Sequence, residues 1–199
     1  MANPRFLITL AAALSAGMLP PAPFAGQKQD AELKALDDQL PGTLANDPRS
    51  LDWAHYGPGC SKEPVVDQAI PGGGAALRLT VAKAGANPWD CGLSIPLLTR
   101  IDKDEVVTIG MWIRLAPGQA EGAKGTITLR FQETVAPYAG FGDATREVGP
   151  RWEWVEISAV ADRAMPKGKA SVAIQLAGMA QVLEIGQAIV VKGALRIAS

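Results

Sequence analysis

From Leu51 to Lys192 the sequence returns again and again to one pattern: short runs in which apolar and polar side chains alternate, closed off by Gly, Pro, Asn or Asp. Alternation at period two marks a strand with one buried face, and turn residues this closely spaced leave no room for helices between the runs. Val106 to Leu115, VVTIGMWIRL, is the most β-prone of them. Val107, Ile109, Met111, Ile113 and Leu115 share one face, leaving Thr108, Gly110, Trp112 and Arg114 on the other. Ala75 to Ala82 sets Leu77, Leu79 and Val81 against Arg78 and Thr80. GTITLRFQE, from Gly125, sets Ile127, Leu129 and Phe131 against Thr128, Arg130 and Gln132. Leu51 to Gly57, Gly92 to Leu98, Arg151 to Val160, Gly168 to Gly178 and Val182 to Val191 complete the set. About eight strands with no intervening helices predict an all-β fold, a two-sheet antiparallel β-sandwich or jelly roll.

The first residues read as an address. Arg5 precedes the apolar run Phe6 to Met18, and the small-residue region Pro20 to Gly26 follows, the three parts of a secretory signal peptide over residues 1–25. That run is short for a membrane span of about 20 residues, so no span is expected and the mature chain is expected in the periplasm or outside the cell. Residues 26–50 form an extension in which Leu33, Leu36 and Leu40 have helical spacing, predicting one short helix over Asp30 to Leu40. The sandwich domain is then expected over residues 51–199. Cys60 and Cys91 are the only cysteines. In an oxidising compartment they predict a disulfide worth roughly 3–4 kcal/mol by loop closure. Neither belongs to a CxxC, and the sole histidine, His55, cannot complete a zinc site with them.

Nineteen basic and twenty acidic residues leave a formal net charge of −1. That balance carries no electrostatic footprint for nucleic acid, and a neutral partner fits better. The polar face of GTITLRFQETVAPYAGF carries Thr128, Arg130, Gln132 and Thr134 and runs into Pro137, Tyr138 and Phe141. Hydrogen-bonding groups beside flat apolar rings are what recognition of a sugar requires; an ordinary solvated strand face shows the same alternation. A hairpin between the two central runs would put Arg114 on the same face as Arg130. Gln175 stands on the mild polar face of ASVAIQ. Trp89, in the loop GANPWD, either packs over the Cys60–Cys91 bridge or stands exposed. Of Trp152 and Trp154, the second, mid-strand among polar neighbours, is the better platform for a flat ligand.

Catalytic motifs are sparse. Glu133, Asp143, Glu147, Glu153 and Glu156 are scattered with no pair set apart by spacing, and neither GxSxG nor a phosphate-cradling Gly loop occurs. A polysaccharide lyase could draw on Tyr138 with Arg130 and Gln132, which leaves an enzyme as the lesser alternative to a binding protein.

The order PGGGAALRLTV, NPWD, VVTIGMWIRL, ITLRFQE, GPRWEWVEISAV and ASVAIQLAG resembles the jelly-roll carbohydrate-binding modules of the family 4/9 type, with their galactose-binding-domain-like sandwich. The resemblance implies non-catalytic carbohydrate binding on one sheet face. Arg130, Gln132 and Gln175 would supply polar contacts, and Trp89, Tyr138 or Trp154 the rim; Arg114, if it shares their face, and Arg130 would admit a uronic acid. It implies an associated glycan-degrading enzyme as partner, since such modules usually ride on one. It also implies calcium near the chain ends, but where an Asp-Asp pair is expected the last run has Ile185-Gly186-Gln187-Ala188, with a carboxylate only at Glu184. No other cofactor is expected. The alternative of a different class is an envelope module that binds a protein partner.

Overall fold

A computed structural model describes residues 25–198. In chain order a helix α1 (Ala25–Asp37) is followed by β1 (Thr43–Leu44), β2 (Ala54–Tyr56), β3 (Cys60–Val66), β4 (Ala75–Val81), a single 3-10 turn (Pro88–Asp90), β5 (Gly92–Pro96) and β6 (Val106–Leu115). Then come β7 (Gly125–Glu133), β8 (Gly140–Val148), β9 (Glu153–Val160), β10 (Ala170–Gln175) and β11 (Gln181–Lys192). The proposed signal segment lies outside the described residues in all but its last position.

The strands form two antiparallel sheets, the all-β sandwich that the alternation predicts. The first has the order β3-β4-β11-β6-β9, with β1 also paired to β11. The second has the order β2-β5-β10-β7-β8. Their inner faces are the apolar sets read from period two. Leu79, Ile109, Met111, Ile113, Ile127, Leu129, Phe131, Val172 and Ile174 are all buried in one continuous core, which Trp53 also enters. One expectation fails here. β6 and β7 are not a hairpin: the loop between them carries the chain from the first sheet to the second, so Arg114 and Arg130 stand on opposite outer surfaces of the sandwich.

The extension belongs to the sandwich more than its composition suggests. α1 runs over Ala25–Asp37 rather than Asp30 to Leu40, and Asp37 Oδ1 accepts the Leu44 N–H at 2.6 Å. The sheet begins at Thr43, before Leu51. Asn46 is buried and clips onto β11, donating to the Ala188 carbonyl at 3.0 Å and accepting from the Val190 N–H at 2.8 Å. The predicted disulfide is present: Cys60 and Cys91 are joined with their Cα atoms 5.6 Å apart, tying an edge of the first sheet to the start of β5 in the second.

β11 keeps both of its halves on the core only because of a bulge. Ile185 pairs with Ile113 and Ala188 with Met111, so β11 spends one residue more than β6 over the same step. The extra residue resets the phase, and Leu183 and Ile185 before it point to the same side as Ala188 and Val190 after it.

Much of the outer face of the first sheet is closed by its own side chains, with a hollow of about 400 Å³ left beside Trp154, Glu156 and Ser158. Glu63, Arg78, Glu184 and Arg114 are aligned across β3, β4, β11 and β6. Glu184 is 0% exposed. Its Oε1 accepts from Arg78 at 2.6 and 3.1 Å, and its Oε2 from Arg114 Nε at 2.7 Å. The Arg114 guanidinium lies 4.6 Å from the centre of the Trp152 ring. Beyond this row the chain end lies across the sheet. Thr108 and Ser158 donate to the Ala194 and Leu195 carbonyls, and Glu156 accepts from the Ile197 and Ala198 N–H groups and from the Trp154 indole N–H at 2.6 Å.

Because Arg78 still holds Glu184 when Arg114 is removed, Arg114→Ala takes away one of two charge-assisted partners of a buried carboxylate and is expected to lower unfolding free energy by about 2 kcal/mol. The double change Arg114→Met with Glu184→Met is expected to cost less than the single one. Urea denaturation of the three proteins checks both statements, and a harmless Arg114→Ala would show that Glu184 has no need of its second guanidinium.

Candidate functional site

The outer face of the second sheet is not closed in this way. β10 lies at its centre, and with period two it turns Val172 and Ile174 into the core and Ser171, Ala173 and Gln175 outward. Register places Ser171 between Pro96 of β5 and Gln132 of β7, and Ala173 between Ser94 and Arg130. Ser171 and Gln175 line a cleft of about 670 Å³, walled by Tyr56 on one side and Arg130 with Asp143 on the other. Trp89 and Tyr138 stand at its two ends, one beyond the end of β10 at Gln175, the other in the turn after β7. Six residues of strand at ~3.3 Å each separate those ends by roughly 16–20 Å.

Each wall has a local cause. Gly92 faces Tyr56 across the β2–β5 pairing, and a Cβ there would stand 2.5 Å from the Tyr56 hydroxyl oxygen. Only glycine lets the ring lie down against the sheet. Burial pushes the Tyr56 hydroxyl up to about 12, since desolvation disfavours the phenolate, so the group stays a neutral donor and acceptor. On the opposite wall the β7–β8 register slips by one residue between Leu129 and Phe131, and the extra residue falls in the Gly142–Asp143 stretch facing Arg130. Gly142 has φ +74°, the left-handed conformation of a glycine bulge. The bulge turns Asp143 toward Arg130, whose Nη1 donates to Asp143 Oδ2 at 2.5 Å while Nη2 donates to the Gly140 carbonyl at 3.2 Å.

The ends and floor are unusual in what they leave unmet. Trp89 is 57% and Tyr138 54% exposed, although large rings are ordinarily drawn inward. Tyr138 also holds φ +55°, a conformation that costs a side-chain-bearing residue about 1–2 kcal/mol. At the floor Ser171 is 1% exposed and its Oγ meets no hydrogen-bond partner, a state that the great majority of buried polar groups avoid.

Of the residues that the sequence singled out, Arg130, Gln132, Tyr138, Gln175 and Trp89 line this one cleft. Arg114 and Trp154 do not. Arg114 is engaged by Glu184 and Trp152 on the first sheet, and Trp154 lies flat over Gly110 there, edge to face with Trp112 at 5.5 Å. Their strands alternate as predicted, but alternation does not say which sheet a strand joins. Tyr56, Ser94, Asp143 and Ser171 enter the cleft without having been singled out as site residues. Of these Ser171 and Ser94 carried a signal, the polar phases of ASVAIQ and GLSIP.

Calcium, implied by the family resemblance, does not fit the carboxylate on the last strand. Both oxygens of Glu184 are held by guanidinium groups, whose charge repels a cation. Among the described residues no group of three or more His, Cys, Asp or Glu converges. Nor is any helix among them long and apolar enough to cross a membrane.

No family model matches the chain, and no curated protein matches it in sequence. Solved structures do. A carbohydrate-binding module of family 4 superposes with a TM-score of 0.53 at 17% identity over 70% of this chain and 94% of its own. The CBM22-1 xylan-binding domain from Paenibacillus barcinonensis Xyn10C gives 0.54 at 13% identity over 78% and 97%. An arabinose-bound MgGH51 α-L-arabinofuranosidase gives 0.58 at 11% identity over 77% of this chain, which spans 25% of that enzyme. The fold is the jelly roll that these two modules and part of that enzyme share.

The sequence holds two tyrosines, so Tyr138→Phe leaves Tyr56 as the only phenol. In that variant the phenolate absorbance is expected to rise near pH 12 and to be flat around the ordinary tyrosine value of about 10. A titration centred at the ordinary value would show that the Tyr56 hydroxyl is not buried against the sheet.

Proposed function

We propose that the protein binds an oligo- or polysaccharide in the cleft of the second sheet and leaves it chemically unchanged. The observation that carries this reading is the pairing of a buried, unpartnered hydroxyl at the floor, Ser171 Oγ, with two exposed rings at the ends, Trp89 and Tyr138. A sugar ring presents a hydroxylated edge and an apolar face, and a cleft with hydrogen-bonding walls and aromatic ends meets both. Gln132, Gln175, Ser94 and Arg130 add amide, hydroxyl and guanidinium groups along the walls. The fold neighbours support the reading, because two of those described above are carbohydrate-binding or xylan-binding modules.

Chemistry favours binding over turnover. Glycoside hydrolysis ordinarily needs two carboxyl groups flanking the bond, and Asp143 is the single carboxylate among the described residues that line the cleft. It is already held by Arg130. The Cys60–Cys91 disulfide fits an oxidising compartment, and the secretory pattern of residues 1–25 favours the periplasm or the exterior. There the protein would work beside a glycan-degrading enzyme, holding it or its product near the polymer.

Isothermal titration against a panel of soluble glycans tests this. Heat of binding is expected with at least one, and its absence with every glycan, from a folded sample, would sink the proposal. Trp89→Ala and Tyr138→Ala should each weaken binding about tenfold, the equivalent of ~1.4 kcal/mol lost with one stacked ring. Ser171→Ala should weaken binding several-fold while leaving the melting temperature unchanged or higher, because its hydroxyl has no internal hydrogen bond to lose.

A further inference from the structure

We infer that Asp143 sets the charge class of the ligand: paired with Arg130 in the cleft wall, it admits uncharged sugar units and turns away uronates. The inference rests on the carbohydrate reading above and narrows it.

Arg130 and Asp143 are the only charged side chains among the described residues that line the cleft. Alone, Arg130 would be the natural seat of a sugar carboxylate, since a guanidinium fork matches a carboxylate in shape and charge. Asp143 already occupies that seat at 2.5 Å. The placement is built in. The one-residue bulge in β8 lies opposite Arg130 and brings Asp143 onto the cleft side, where a regular strand would have shifted every later side chain to the other face. Two glycines make room for it. A Cβ on Gly140 would stand 2.8 Å from Arg130 Nε, and one on Gly142, already at φ +74°, would stand 2.6 Å from the Ala159 Cβ.

The consequence is electrostatic. A uronate entering the cleft must either displace Asp143 from the guanidinium, exchanging one carboxylate pair for another at the cost of drying both charges, or sit beside a like charge. A neutral sugar meets neither penalty. Its hydroxyl can donate to the carboxylate and accept from the guanidinium, which makes both hydrogen bonds charge-assisted. Arg114 offers no second seat, because it is bound to Glu184 on the far sheet.

The experiment is titration calorimetry with four ligands: the neutral glycan that gives the largest heat in the panel, hexagalacturonate, hexamannuronate and a glucuronoxylan fragment. Wild-type protein is expected to bind the neutral glycan at least tenfold more tightly than any acidic one. Asp143→Asn keeps the shape and removes the charge. It is expected to weaken neutral binding a few-fold and to improve binding of at least one acidic ligand about tenfold or more, with the gain shrinking as salt is raised. Adding Arg130→Gln should abolish the gain. Circular dichroism and melting curves establish that the variants are folded, and Asp143 is exposed enough for the change to be tolerated. An unchanged acidic-to-neutral ratio in Asp143→Asn, or a wild type that prefers uronates, overturns the inference and leaves carbohydrate binding standing. A wild type that takes neither class refutes carbohydrate binding itself, and this inference with it.

Discussion

The depth of the cleft depends on β10 being buried on both faces. A central strand of an antiparallel sheet commonly packs one face on the core and shows the other to water. In β10 all six residues are buried, including the outward-facing Ser171, Ala173 and Gln175. Ser171 and Ala173 are small and lower the floor, while the flanking strands carry larger side chains, Tyr56 on β2 and Arg130 and Gln132 on β7, that rise as walls. Had positions 171 and 173 carried long polar residues as 175 does, the same sheet would present a flatter surface. The inner face fixes the rest, because Val172 and Ile174 sit in the core against the two-sheet packing and hold the strand's height.

Two bulges solve different problems with one device. In β11 the extra residue keeps a long strand in phase with the core on either side of it, and the gain is burial. In β8 the extra residue faces Arg130 on an edge strand, and what it does is aim a carboxylate into the cleft. An edge strand tolerates the irregularity because one side of its backbone has no partner to lose. The disulfide works at the other end of the cleft. Cys91 directly follows the Pro88–Asp90 turn that carries Trp89, and the bond to Cys60 secures that turn to the first sheet. An exposed ring, with few contacts of its own, is held in place through its neighbour in the chain.

Much of this was legible in period two. The inward sets of β4, β6, β7, β9 and β10 are the buried ones, the bulge in β11 breaks the period there, and Arg130, Gln132 and Gln175 share a surface because each lies on the polar phase of its strand. What alternation could not supply was partnership. Strands β6 and β7 read alike, yet one joins each sheet, which is why Arg114 does not meet Arg130. The short or irregular edge strands were illegible for a physical reason. β3 carries Pro64 and exposed residues at most positions, and β8 carries Gly140 and Gly142 with charged neighbours. An edge strand is held by one neighbour and need bury little, so its composition is not forced to alternate. Asp143 was missed as a cleft residue because it lies on such a strand, and Tyr56 because three residues of β2 are too few to show a period.

The two outer faces differ in how far their polar groups satisfy one another. Both carry arginine, glutamate or aspartate, hydroxyls and aromatic rings. On the first sheet these groups satisfy one another: Glu184 takes two guanidinium groups, Trp152 covers Arg114, Glu156 gathers three N–H donors, and the chain end uses up Thr108 and Ser158. On the second sheet Arg130 holds Asp143 and Thr128 pairs with Thr145, while in the cleft Ser171 Oγ is buried without a partner and two large rings stand in water. Polar groups removed from water are costly unless paired, and exposed rings forgo burial worth ~1.5–3 kcal/mol each. The first face spends most of its polar groups internally. The second leaves a buried hydroxyl unmet and holds aromatic rings out at both ends of a cleft, and the proposed binding site rests on that difference.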